Sequence, residues 1–404
     1  MSTQTDLHPA ATEQTSSSLS GMVWLLAIVP LILLGIVVAL IVVTEGGLAE
    51  LSGPPVEQVT IQRVTLPEPG IIQVEVVNDG PESVTIPQVL VDEAYFGFTA
   101  DPSTTIPRFG RSTYTIPYPW VAEETHAITL ITELGATFEA EVGVAVETPS
   151  FDTEMFLRFG LVGLYVGVVP VVLGMLWYPF MRRLGTQAMM FILSLTVGLL
   201  VFLAVGTWLD AQEFATDLPA FWQGTPMVVF IALVTLGALL AIGSVRGDSE
   251  STPLGIAYRI ALGIGMHNLG EGLAIGAAFA LGEAALGTFL ILGFTLHNIT
   301  EGVGIAAPIV RKSPGLGHFA ALALLAGGPA LLGTWIGGFA FNPVLATIFL
   351  AIGVGAILQV VWEVGKLVAR DSARLGLPMV NWINLGGLVA GILIMYVTAF
   401  LVKF

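Results

Sequence analysis

Stretches of about 20 mostly apolar residues, nearly free of charge, recur along this chain, separated by short polar breaks. Nine can be counted, at roughly 22–44, 157–178, 186–208, 227–245, 256–281, 285–309, 316–338, 343–368 and 378–402. At 1.5 Å of helix rise per residue, each matches a hydrocarbon core about 30 Å thick. The runs are continuous rather than alternating, which predicts transmembrane helices and not a barrel. The first run is too long for a typical signal-peptide core, and no clear A-x-A site follows it. It is read as a retained anchor, with a cleaved signal as the alternative.

Between the first two runs the period changes. VEQVTIQRVTL, IIQVEVVNDG, ESVTIPQVLV, STYTIPY, HAITLITELG and TFEAEVGVAVE are β-branched and partly alternating, with NDGP, DP and LG between them as turn chemistry. About seven short strands in ~100 residues predict a small immunoglobulin-like β-sandwich. The expected order is a disordered tail over 1–20, an anchor over 21–45, the sandwich over 50–150 and an eight-span domain over 155–404. The fold class is therefore an all-α polytopic membrane protein with one extra anchor and a β domain.

Composition agrees: 55% of residues are hydrophobic and only 11% charged, less than half the usual charged share of about 25%. There is no cysteine, which excludes disulfides, thiolate metal sites and cysteine nucleophiles. The net charge of −16 is concentrated: residues 45–155 hold eighteen acids against three arginines. Nucleic acid is thereby excluded as an expected partner. In the sandwich, one histidine (His126) without cysteine argues against a cupredoxin-type copper site. Tyr95, Phe96, Phe98, Tyr118 and Trp120 read as core and rim aromatics.

Positive charge sets orientation. With residues 1–20 cytoplasmic, the inner connections carry Arg182, Arg183, Arg246, Arg259, Arg311, Lys312, Lys366, Arg370 and Arg374. The outer ones hold Asp210, Glu213, Asp217 and Glu283, with only Arg158 and Lys403 near the outer ends. This places the sandwich and the C-terminus outside a cell membrane.

Two of the apolar runs are interrupted by the same polar pattern, MHNLGEGLAIG at 266–276 and LHNITEGVGIA at 296–306. In a helix, His267, Asn268 and Glu271 share one face, as do His297, Asn298 and Glu301. Measured from the connection near Gly282–Ala284, these groups lie roughly 18–27 Å deep on two antiparallel neighbours. Gly272, Gly276, Gly302 and Gly304 allow close backbone approach. Imidazole nitrogen with carboxylate oxygen is a donor set for Zn²⁺, Fe²⁺ or Mn²⁺, and the carboxylates offset the ion's charge within the membrane. Glu363, with Gln359 one turn earlier, is a candidate proton relay or secondary site. The alternative is a capped pair near the interface beside Lys366. His318 reads as ordinary.

At HNLGEG and HNITEG the chain resembles the ZIP family of divalent metal transporters, in particular its GufA-like branch. The resemblance is strong over 256–309, extends as an eight-span unit over 157–404, and is absent from 1–150. It implies two adjacent metal sites, a two-bundle fold with inverted repeats, and uptake toward the cytoplasm. By position the primary site would use His267, Glu271 and Glu301, with Asn268, His297 and Asn298 contributing to or shaping the second. The chain departs from the family at Gly328, where relatives often carry Glu, and at Leu200, where some carry a methionine ligand. It departs again at the neutral Asn298 and in the loop 246–259, which lacks histidines. These departures put the second site in question.

The expected function is transport of a divalent transition metal, zinc foremost, with iron, manganese or cadmium as further cargoes. The metal is cargo, no prosthetic group is implied, and a homodimer is expected. A membrane metal sensor signalling through the ectodomain is the alternative. An intramembrane metallohydrolase ranks last, because no H-E-x-x-H occurs, so the chain is not read as an enzyme.

Overall fold

A computed structural model describes residues 21–43, 56–216, 218–245, 252–281 and 284–402. The expected tail over 1–20 and the charges Arg246, Asp217, Glu283 and Lys403 lie outside them. By compactness the chain divides into Met1–Pro55 and Val56–Phe404. In the first unit, α1 (Gly21–Val43) is a helix of 23 residues with no charged residue.

The second unit opens with ten strands among the described residues, against the seven expected. They are β1 (Val59–Glu68), β2 (Ile71–Asn78), β3 (Val84–Thr85), β4 (Gln88–Val91), β5 (Ala94–Phe96), β6 (Thr99–Asp101), β7 (Thr105–Ile106), β8 (Arg111–Pro117), β9 (His126–Ile131) and β10 (Thr137–Val142). The extra strands are two or three residues long, too short to show a period. Two four-stranded sheets, β1-β2-β8-β6 and β10-β9-β4-β5, accompany a β3-β7 ribbon. Every pairing is antiparallel. Ile72, Val74 and Val76 of β2, Tyr114 and Ile116 of β8, Val89 and Val91 of β4, and Ile128 and Leu130 of β9 form one buried core between the sheets. Alternation along each strand places them there.

The remainder is helical: α2 (Thr153–Gly163), a π-turn at Leu164–Val168, α3 (Val169–Met175), α4 (Tyr178–Met181), α5 (Thr186–Thr216), α6 (Gly224–Val245), α7 (Pro253–Ala280), α8 (Ala284–Ala306), α9 (Leu316–Ala340), α10 (Pro343–Arg374) and α11 (Trp382–Val402). Among the described residues, seven helical segments are long and apolar enough to cross a membrane, so this is a helical membrane protein with a β domain. Of the nine expected runs, α7 falls short of that measure, because the His-Asn-Glu cluster and its glycines lower the mean hydropathy. The described stretch Ile28–Ile41 of α1 is apolar.

Several helices outrun their apolar stretch. α5 continues eight residues beyond the predicted 208 and α10 six beyond 368, so Asp210, Glu213, Arg370 and Arg374 are helical rather than in connections. Long cationic side chains can reach the polar boundary from the end of a helix, and Arg374 pairs with Asp371 at 3.2 Å one turn back.

Small residues set the helix neighbours. A Cβ at Gly272 would overlap the Ala330 carbonyl, one at Gly276 the Thr334 carbonyl, and one at Gly337 the Leu273 carbonyl. The near-constant offset means that α7 and α9 run parallel with their backbones in contact. Gly163 and Gly167 meet α9 near Leu331 and Gly327, and Gly174 meets α8 at Ile299 and Gly302. Gly198 and Gly391 bring α5 and α11 together. α2, α3, α7, α8 and α9 thus form one packed group and α5, α6, α10 and α11 another, with α10 also touching α7. Where the β domain meets the bundle, the Ala220 amide donates to Asp79 Oδ2 (3.0 Å), and the Phe109 ring lies edge-on to Phe221 at 4.8 Å.

Candidate metal centre

α7 and α8 face each other through their repeated motifs. The hydrogen bonds Asn268–Glu301 and Asn298–Glu271 have the same residue-number sum, as antiparallel helices require. All six predicted residues are buried.

Glu271 is the hub. Its Oε1 lies 2.8 Å from His267 Nε2 and 2.5 Å from His297 Nε2. Its Oε2 accepts from Asn298 Nδ2 at 3.2 Å. Each asparagine amide is used twice. Asn298 Nδ2 also donates to the Val166 carbonyl (3.1 Å), inside the π-turn between α2 and α3. Asn268 Nδ2 donates to Glu301 Oε2 (3.3 Å) and to the Ala326 carbonyl (3.1 Å). Ala326 adjoins Leu325, the carbonyl that Pro329 leaves without an amide partner in α9. The asparagines therefore tie each carboxylate to irregular backbone in the α2–α3 segment or α9, which restricts where the carboxylates can point.

Ligand atoms of His267, His297 and Glu301 all lie within 4.8 Å of one another. Glu301 Oε1, His267 Nδ1 and the Oδ1 atoms of both asparagines have no hydrogen-bond partner. Buried polar atoms are rarely left so, and two imidazoles with carboxylate oxygen fit a borderline divalent cation. A doubly charged ion would neutralise the two carboxylates in a setting where unpaired charge is costly.

The surroundings are asymmetric along the bundle. On one side a cavity of ≈ 170 Å³ reaches from His267, Glu271 and His297 past Asp210 of α5 to Thr398 and Ala399 of α11. It therefore runs toward the C-terminal ends of α5 and α11, the end at which the chain passes from the β domain into α2. On the other side Leu199, Leu200, Ile260, Ile264 and Val360 close against His297 and Glu301, and all five are buried. Leu200 thus stands beside the cluster without offering a ligand atom.

Sequence reading had assigned Asp210 to a connection; the structure puts it on the cavity wall. The available signal was one turn of spacing from Thr207, another lining residue. Glu363 is buried and ion-paired with Arg259 (3.3 Å) on α7 and Lys366 (3.2 Å). Gln359 is buried beside Gly263 with its Oε1 unpartnered. His318 lies 2.9 Å from the Tyr258 hydroxyl, exposed and away from the cluster.

No protein-family model matches the chain, and no curated protein matches it.

In the β domain, Asp92 Oδ2 accepts from the Tyr118 hydroxyl (2.6 Å) and lies 2.8 Å from His126 Nδ1, while Oδ1 accepts from the Ala127 amide. Desolvation raises the Asp92 pKa, but the bonds from Tyr118, His126 and Ala127 outweigh it and hold the carboxyl below its ordinary value. The same Tyr118–Asp92 bond, with desolvation, pushes the Tyr118 phenol up to about 12. His126 is thus joined to a carboxylate rather than to a metal-ligand set.

Proposed function

We propose that this protein carries a divalent transition metal, zinc foremost and iron, manganese or cadmium as further cargoes, across a cell membrane toward the cytoplasm. The observation that carries the reading is the buried cluster of His267, His297 and Glu301, in which His267 Nδ1 and Glu301 Oε1 have no hydrogen-bond partner. It lies at the inner limit of a cavity approached from one end only. A permanently held structural ion would have no use for such an approach, whereas a cargo needs one and also needs a closed far side.

The reading keeps the eight-span unit with a preceding anchor, the immunoglobulin-like character of the β domain, and the ZIP-family resemblance of HNLGEG and HNITEG. It differs from the positional assignment in one respect. His297 joins His267 and Glu301 as a first ligand, and Glu271 aligns both imidazoles. A single site is favoured, since Leu200 and Gly328 supply no further donor. On the positive-inside reading the cavity faces outward, so the structure corresponds to a state loaded from outside.

Proteoliposome flux tests this. Wild type should admit Zn²⁺, and His267→Ala and Glu301→Ala should abolish entry while reconstituting normally. Unchanged flux in both variants would sink the proposal. The sensor reading draws on one observation, the contact of Asp79 and Phe109 with the α5–α6 connection. Stoichiometric binding without flux would favour it.

A further inference from the structure

At the end of the bundle opposite the large cavity, a small open pocket of ≈ 40 Å³ is lined by three arginines from two segments distant in sequence. Arg311 follows α8, while Arg370 and Arg374 stand on consecutive turns at the end of α10. The only carboxylate in the lining is Asp371. It takes Arg374 at 3.2 Å and Arg370 at a looser 3.8 Å. Arg311 has a neutral partner, donating to Thr186 Oγ1 at 3.2 Å at the start of α5. Three cationic groups therefore line the cavity with one anion, which pairs with only two of them. Arg370 and Arg374 are about half exposed while Asp371 is nearly buried (48% and 52% against 9%), so the guanidinium groups remain accessible.

The rest of the lining is apolar, with Met189 and Leu193 of α5 and Leu367 of α10 among it. A cationic rim over an apolar floor, at the end of membrane-crossing helices, matches one ligand chemistry: a phosphate group attached to a hydrocarbon. Guanidinium forks suit phosphate oxygens geometrically, and basic pockets between helices at a bilayer border are where anionic headgroups settle. We propose that this pocket binds the phosphate of an anionic phospholipid, joining α5, the end of α8 and α10 across the two helix groups. The site is separate from the metal cluster, and the proposal does not depend on what the cluster carries.

Native mass spectrometry of the full chain in detergent, titrated with phosphatidylglycerol, phosphatidylcholine or inorganic phosphate, tests it. Wild type should retain phosphatidylglycerol in preference to phosphatidylcholine. R311A/R370A/R374A should weaken that retention about tenfold or more, in line with the loss of charge-assisted bonds. Asp371→Asn, which frees two arginines, should strengthen it several-fold and guards against misfolding of the triple variant. Inorganic phosphate that displaces the lipid from wild type, but does not bind the triple variant, supports the same phosphate site with a soluble occupant. Equal retention of both lipids by wild type, or unchanged phosphatidylglycerol retention in both variants, overturns the proposal.

Discussion

Asn268 and Asn298 divide the polar chemistry of the centre between them. Each spends both amide N–H groups, one on a carboxylate across the helix pair and one on a backbone carbonyl. Removing such an outer contact usually costs about 10–100-fold in metal affinity. Asn268→Ala should therefore weaken Zn²⁺ binding at least tenfold by calorimetry, because Glu301 loses the bond that restrains it. Binding at wild-type strength would mean that the asparagine only fills space. A second residue-scale prediction concerns Tyr118. Its raised pKa favours the neutral phenol in the folded state, so its contribution to stability is complete below about pH 10 and is lost as pH climbs through about 12. Asp92, held low, acts at the other end: its contribution is present above the ordinary carboxylate range and is lost as pH falls through its depressed value. Tyrosinate absorbance should show a component titrating near 12 in wild type that Tyr118→Phe removes.

Among the elements, α7 was legible both as a helix, expected over 256–281 and found at Pro253–Ala280, and as the bearer of a motif. His267, Asn268 and Glu271 announce chemistry because polar groups are costly in a membrane, yet they and the glycines dilute the hydropathy by which a span is recognised. The glycines have a packing reason that spacing alone could only suggest. Gly272 abuts the Ala330 carbonyl, whereas Gly328, close by in sequence on the facing helix, has nothing within 4 Å of an added Cβ. Gly272→Ala should cost about 1–3 kcal/mol through overpacking. Gly328→Ala should be neutral or gain up to about 1 kcal/mol from helix propensity. Thermal unfolding of the two purified variants checks the contrast, and equal melting temperatures would refute the packing account. The π-turn at Leu164–Val168 has its sequence signal in Pro170, which leaves the Val166 carbonyl without a helical amide partner; its use emerges only once Asn298 reaches Val166.

For the whole molecule, the two-part organisation and the paired motifs were readable because hydrophobic period and polar expense are both local in sequence. Other features depend on distant partners. Glu363 meets Arg259 across 104 positions, and Asp210 counts as part of the cavity only because α7, α8 and α11 surround it. The acidity of the β domain belongs to this largest scale. Eighteen acids and three arginines lie between residues 45 and 155, and the cavity opens at the end of the bundle where that domain joins α2. A negative potential there concentrates cations near the mouth, twice as strongly in energy for a divalent ion as for a monovalent one. The effect reaches only as far as screening allows, about 10 Å at 0.1 M salt and about 3 Å at 1 M. Glu123, Glu124, Glu139 and Glu141 are exposed, so replacing all four with Gln should leave the fold and the metal centre intact. At low salt and subsaturating Zn²⁺ this variant should take up metal more slowly than wild type, with the two rates converging as KCl approaches 1 M and at saturating Zn²⁺. A rate difference that persists unchanged at high salt would assign the acids a direct binding role, and no difference at low salt would remove the β domain from the entry path.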